Sequence, residues 1–213
     1  MSVQQKYRKG EFRRLSWNEY GKTLEALYRK VDGYLKRVHE SPDAVVPILR
    51  GGAVAGTYLA YRLKLLTILP VQYKYLESGD RTEPRKLLGL DKSRIGGIKR
   101  PVFLLVENNH CFGGTAQKAA ADLKKAFPRS RIIYAAAHSD YTNRKLKLVD
   151  VQFYGRITNE ARGLSPSKAR GKRIPNWIYV FPWENFDEEF KAVNSQKYKY
   201  RDLDRVKRVS TQA

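Results

Sequence analysis

The chain has 213 residues, with 42 Lys or Arg against 21 Asp or Glu, a formal net charge of +21. Its 42% hydrophobic and 12% aromatic content is that of a folded chain, one ordinary domain with a modest extension, and excludes a disordered one. No apolar run reaches the roughly eighteen residues of a membrane helix, so no membrane partner is expected.

The basic opening MSVQQKYRKGEFRR leads into no apolar stretch, so no secretory leader is expected. A single cysteine, Cys111, rules out an internal disulfide and a thiolate zinc site, and it points to a reducing, cytoplasmic compartment. The charge favours polyanionic company. Lys6–Arg14, Arg162–Arg173 and Lys197–Arg208 hold 16 of the 42 cations, with Tyr7, Phe12, Trp177, Tyr198 and Tyr200 in or beside them. Basic and aromatic residues together grip phosphates and stack on bases, so Lys197, Lys199 and Arg201 are candidate nucleic-acid contacts. An enzyme with an anionic substrate and a basic surface has the same composition.

Ser16-Trp17-Asn18-Glu19 has the pattern of a capping box. Tyr20, Leu24, Leu27, Tyr28, Val31, Leu35 and Val38 then recur at helical spacing, which predicts a helix over 17–39. Short apolar runs follow at Ala44–Leu49, Thr67–Tyr73, Val102–Val106, Ile132–Ala137, Val149–Phe153 and Ile178–Phe181, with helical intervals at Ala53–Leu63 and Thr115–Phe127. Strands alternating with helices predict an α/β fold with a mostly parallel sheet covered on both faces. Residues 75–100 and 155–176 are polar and glycine-rich, and are expected to be non-helical, the first as a functional lid or a disordered loop. Residues 193–213 are expected to be a basic tail or surface helix.

Two strand-to-helix turns carry the chemistry. The first is Val45-Val46-Pro47-Ile48-Leu49-Arg50-Gly51-Gly52, and the second runs from Val102 through Glu107-Asn108-Asn109-His110-Cys111-Phe112-Gly113-Gly114-Thr115. Buried strands deliver such turns to the carboxyl edge of a sheet, where ligands bind. Glycines there allow close approach, and the N–H groups opening the next helix converge on an anion. The second turn reads as a phosphate cradle behind an acid, or as a tight turn that packs helix on sheet.

Taken together with Leu15-Ser16-Trp17 and Trp177-Ile178-Tyr179-Val180-Phe181-Pro182-Trp183-Glu184, these turns make residues 15 to 190 resemble the type I phosphoribosyltransferases, nearest to the xanthine and hypoxanthine-guanine enzymes. The resemblance implies a central, mostly parallel sheet flanked by helices over 1–192, with a small hood from about 1–40 and 153–192. It implies phosphoribosyl pyrophosphate or a nucleotide as ligand. Arg50, Gly51 and Gly52 would form the pyrophosphate turn, and residues 75–98 the closing loop. Lys74, at the end of the third strand, either reaches the pyrophosphate or faces solvent. Cys111, Phe112, Gly113, Gly114 and Thr115 would wrap the 5′-phosphate, and Glu107 with Asn108 would hold the ribose beside Mg²⁺. Trp177 would stack on the base or pack the core, and His138 would donate to a base oxygen or lie at a strand end.

Three positions depart from the family pattern. Asn108 stands where the family has a second consecutive acid, which weakens the grip on Mg²⁺. Cys111 stands where purine enzymes place a proton-transferring Asp. As a thiolate beside helix N–H groups it is a candidate catalytic proton acceptor, and otherwise it is a plain loop residue. The run Ala135-Ala136-Ala137-His138 lacks the Lys that reads a purine oxygen.

The function read from the sequence is therefore transfer of a phosphoribosyl group to a nucleobase-type acceptor. The alternative is a catalytically weak module that binds a nucleotide or nucleic acid as a regulator or as part of a nucleoprotein, for example defence, assembly. Relatives form dimers or tetramers, which makes a homo-oligomer one implied partner, although no stretch marks an interface.

Overall fold

A computed structural model describes residues 7–78, 81–142 and 145–194. The chain divides into two compact units.

The larger unit takes in described residues 23–78, 81–139 and 145–156. Its centre is a sheet ordered β4-β3-β2-β5-β6-β7, built from β2 (Ala44–Leu49), β3 (Val71–Ser78), β4 (Arg81–Leu88), β5 (Val102–His110), β6 (Arg131–Asp140) and β7 (Val151–Thr158). β2 runs parallel to β3 and β5, β5 runs parallel to β6, and only β4 is shown antiparallel to its neighbour. The expected α/β class and mostly parallel sheet are what the structure has.

Membership of the core on the α3 side follows the strand period of two. Ala44, Val46, Ile48, Val71, Tyr73, Phe103, Leu105, Ile132 and Tyr134 share one core with Ala116, Ala119, Ala120 and Leu123 of α3 (Gly114–Ala126). The opposite face of β2 meets α2 (Gly52–Arg62), where a Cβ on Gly56 would stand 2.7 Å from Pro47 Cβ. Small residues, Gly56 in α2 and three alanines in α3, let both helices lie close to the sheet.

Helix α1 (Trp17–Val38) starts where the capping box predicts. Ser16 Oγ accepts from Glu19 N–H at 3.2 Å, and Glu19 accepts from Ser16 N–H at 3.0 Å. Within the larger unit its Tyr34 ring lies 5.3 Å from Phe153.

The smaller unit takes in described residues 7–22, 140–142 and 157–194. Here β1 (Phe12–Arg14) pairs in parallel with β8 (Ile178–Val180), in the register Phe12↔Ile178. Phe12 sits among Tyr7, Ile178 and Val180 and packs against Phe186 and Phe190 of α5 (Phe186–Asn194). Among the described residues no helix is long and apolar enough to cross a membrane.

Three segments differ from the sequence expectations. Residues 75–100 hold no open loop at their start: β3 runs on to Ser78 and returns as β4, and a 3₁₀ turn follows at Lys92–Ile95. Pro84, which donates no hydrogen bond, is tolerated because β4 is the sheet's edge. Residues 155–176 include a short helix, α4 (Pro166–Gly171), capped by Ser165 and started by Pro166 at its first position. β1, only three residues long, has no periodicity from which to be read.

Candidate functional site

The buried run Phe103–Val106 brings β5 to the carboxyl edge of the sheet, and Glu107 is the first polar residue beyond it. Glu107 is half-buried, and its Oε2 accepts the Tyr134 hydroxyl at 2.7 Å. Tyr134, on β6, is fully buried, and its oxygen lies 2.8 Å from His110 Nδ1. With the Tyr134 hydroxyl donating to Glu107, its oxygen is left to accept from His110 Nδ1–H, which assigns that tautomer. Burial pushes the Glu107 carboxyl up to about 7, against the opposing pull of the Tyr134 hydroxyl. Burial and the Glu107 charge raise Tyr134 well above its ordinary value, so it stays a donor.

His110 is 1% exposed and supports the loop that follows. Gly113 has φ +73°, and a Cβ there would stand 2.7 Å from His110 Cε1 and 3.1 Å from Leu146 Cδ2. Only glycine satisfies both the left-handed backbone and that contact. Gly113 also caps α3 without a side-chain hydrogen bond, and the first turn of α3 holds no acid. The N–H groups that open a helix are left without intrahelical acceptors. Cys111 itself is partly exposed.

The Arg50–Gly52 turn rests directly on this strand. A Cβ on Gly52 would meet Val106 O at 2.5 Å, and one on Gly51 would meet Asn108 Cβ at 3.3 Å. The Leu49–Arg50 peptide is cis, Arg50 is exposed, and Asn108 is buried beneath Gly51. Two turns separated by more than fifty residues are thus in van der Waals contact within one unit, because β2 and β5 are sheet neighbours.

The other candidates are placed as follows. Lys74 is exposed and lies within β3, which runs past it. His138 is 1% exposed, and burial together with the Arg156 charge lowers it to about 3, so the ring is neutral at ordinary pH. Trp177 is 39% exposed in the smaller unit, one residue before β8. Trp183 stacks on Phe181 at 5.4 Å within that unit. Lys197, Lys199 and Arg201 lie outside the described residues. Tyr134 was not singled out by the sequence. Its one signal was a polar-tipped ring among the aliphatic and small residues of Ile132–Ala137.

Solved structures share this arrangement at the level of the fold. A purine phosphoribosyltransferase from Pyrococcus horikoshii Ot3 superposes with a TM-score of 0.59 at 18% identity, covering 82% of this chain and 95% of that one. This is the type I phosphoribosyltransferase fold.

A Helicobacter pylori xanthine-guanine-hypoxanthine phosphoribosyltransferase has the same fold at a TM-score of 0.55 and 14% identity, covering 85% of this chain and 99% of that one. A hypothetical protein from Neisseria gonorrhoeae with bound ppGpp reaches a TM-score of 0.63 at 16% identity, covering 86% and 96%. No protein-family model and no curated protein matches the sequence. At these identities the likeness establishes the phosphoribosyltransferase fold and nothing finer.

Proposed function

We propose that the chain binds phosphoribosyl pyrophosphate and transfers its phosphoribosyl group to a nucleobase-type acceptor, releasing pyrophosphate. The observation that carries this reading is the contact between the Arg50–Gly52 turn and the Val106–Asn108 segment. One short surface thereby offers a cationic turn for a diphosphate, a carboxylate for a ribose and, through Gly113–Thr115, helix N–H groups for a 5′-phosphate.

Glu107 faces the ribose hydroxyls in this reading, and Tyr134 with His110 holds its carboxylate in place. Catalysis then rests on positioning and on stabilising charge at the departing diphosphate, since Cys111 is a weak base unless its thiol ionises.

Among the described residues no three His, Cys, Asp or Glu side chains cluster as a metal cage. Glu107, with the neutral Asn108 beside it, fits a Mg²⁺ that arrives with the diphosphate, because that ion binds through one or two carboxylates plus substrate phosphates. There it would neutralise charge on the leaving group.

Calorimetric titration with phosphoribosyl pyrophosphate and Mg²⁺, with Glu107→Gln as control, tests the reading. Micromolar binding that is lost in the variant supports it, and a wild type that binds nothing sinks it.

A second reading is carried by the charge of +21 and by Pro84–Arg100, where Arg85, Lys86, Lys92, Arg94, Lys99 and Arg100 face one acid, Asp91. The chain is then a nucleotide- or nucleic-acid-binding module of a nucleoprotein assembly. Its signature is duplex affinity that falls steeply with salt, and salt-insensitive binding counts against it.

A further inference from the structure

The two faces of the β3–β4 ribbon handle charge differently. Its register sets Tyr73 opposite Lys86, and Lys74 opposite Arg85. Residues directly opposite each other in an antiparallel pair project from the same face. On the Tyr73 face, Asp122 of α3 accepts from the Tyr73 hydroxyl at 3.0 Å and lies 3.2 Å from both Lys86 Nζ and Lys118 Nζ. That face contains its own counter-ion.

On the Lys74–Arg85 face no described side chain plays that part. Both side chains are exposed, and neither makes an ion pair with a described side chain. Their Cβ atoms, directly opposite, lie about 5 Å apart in such a ladder, close enough for like charges to repel. An arrangement that weakens the ribbon when empty is compensated once an anion lies between the two cations.

Register also locates the pair. β2 ends at Leu49, which is opposite Gln72, so Lys74 stands two residues further along the same direction. Tyr73 belongs to the α3 core, which puts Lys74 and Arg85 on the other face, the one α2 shares with Pro47. The cation pair therefore flanks the Arg50–Gly52 turn at the start of α2. Arg50 adds a third exposed cation without a described carboxylate.

We propose that Lys74 and Arg85 form a second phosphoryl-binding position beside the Arg50–Gly52 turn, so that the site takes a polyphosphate chain longer than a diphosphate. The proposal rests on the reading of that turn as a diphosphate site. Arg85 supplies a planar fork for two oxygens of a terminal phosphoryl group, and Lys74 a compact ammonium beside it. The ligand class is a chain of three linked phosphoryl groups, free or carried on a nucleoside.

The test is calorimetric titration of the full chain and of Arg85→Ala with pyrophosphate, inorganic tripolyphosphate and ribose 5-phosphate, alongside thermal melting. Tripolyphosphate should bind the wild type about tenfold tighter than pyrophosphate, the effect of one further charge-assisted contact. Arg85→Ala should erase that tenfold difference, leave ribose 5-phosphate affinity unchanged, and melt no lower than the wild type because a repulsion has been removed. Lys74→Ala should do the same to tripolyphosphate.

Equal wild-type affinity for the two anions would overturn the proposal. So would an Arg85→Ala variant that melts lower yet binds as before, the signature of a purely structural role for that side chain. A wild type that binds tripolyphosphate but not ribose 5-phosphate or phosphoribosyl pyrophosphate overturns the transferase reading and leaves the polyphosphate site standing. Adding ATP and GTP separates the sources: affinity equal to tripolyphosphate assigns recognition to the chain alone, and tighter binding assigns it to a nucleotide.

Discussion

The Tyr134 hydroxyl donates a hydrogen bond to Glu107 Oε2 across 2.7 Å, from a neighbouring strand and from a fully buried position. The same oxygen meets His110 Nδ1 at 2.8 Å, and His110 in turn lies directly under Gly113. One buried chain of contacts thus joins the carboxylate proposed for the ribose to the loop proposed for the phosphate.

Tyr134→Phe keeps the ring and removes the donor. Donation from Tyr134 holds the Glu107 carboxyl down, so its loss moves that carboxyl further above about 7. Less carboxylate is then present at pH 7, and phosphoribosyl pyrophosphate affinity should fall about tenfold there and recover by about pH 8.5. In a Glu107→Gln background the same change should have no further effect on affinity, which a double-mutant cycle by calorimetry checks.

Gly52→Ala and Gly113→Ala should both destabilise, for different reasons. The first drives a Cβ to 2.5 Å from Val106 O, a backbone atom that cannot turn aside. The second forces an L side chain to φ +73° against His110. Each should cost about 1–3 kcal/mol in urea unfolding, with Gly113→Ala also weakening ribose 5-phosphate binding.

Asn108→Asp is nearly isosteric and preserves the packing under Gly51. It sets a second carboxylate beside Glu107 in a buried position, so the ligand-free protein should melt lower. With Mg²⁺ and phosphoribosyl pyrophosphate the sign should reverse, because a paired acid binds the cation better than an amide does. Melting curves with and without the metal–ligand pair decide this.

Glu184, in the smaller unit, accepts from Phe181 N–H at 2.8 Å. Burial and the nearby Glu189 charge outweigh that bond and raise its carboxyl to about 7. A carboxyl raised on folding binds a proton more tightly in the native state, so stability is greatest at low pH and falls as pH climbs from about 4.5 to about 7. Glu184→Gln keeps an acceptor for Phe181 and carries no charge. It should add on the order of 1 kcal/mol at pH 8 and little at pH 5, read from unfolding at the two pH values.

Sequence by itself determined the elements whose signal is local. The α1 start was legible because a capping box is written in four adjacent residues, and β2 because a continuous apolar run between turns has one reading. Arg50–Gly52 and Gly113–Thr115 were visible for the same reason: glycines at a strand end announce a turn before anything is known of its neighbours. The pairing of those turns was decided only by the tertiary structure, since Gly52 touches Val106 through the β2–β5 ladder and no spacing along the chain encodes a ladder. The Glu107–Tyr134–His110 chain and the Lys74–Arg85 opposition belong to the same class. Each joins residues on different strands or beyond a turn, and hydrogen bonding and charge act through distance in space, which local pattern does not record.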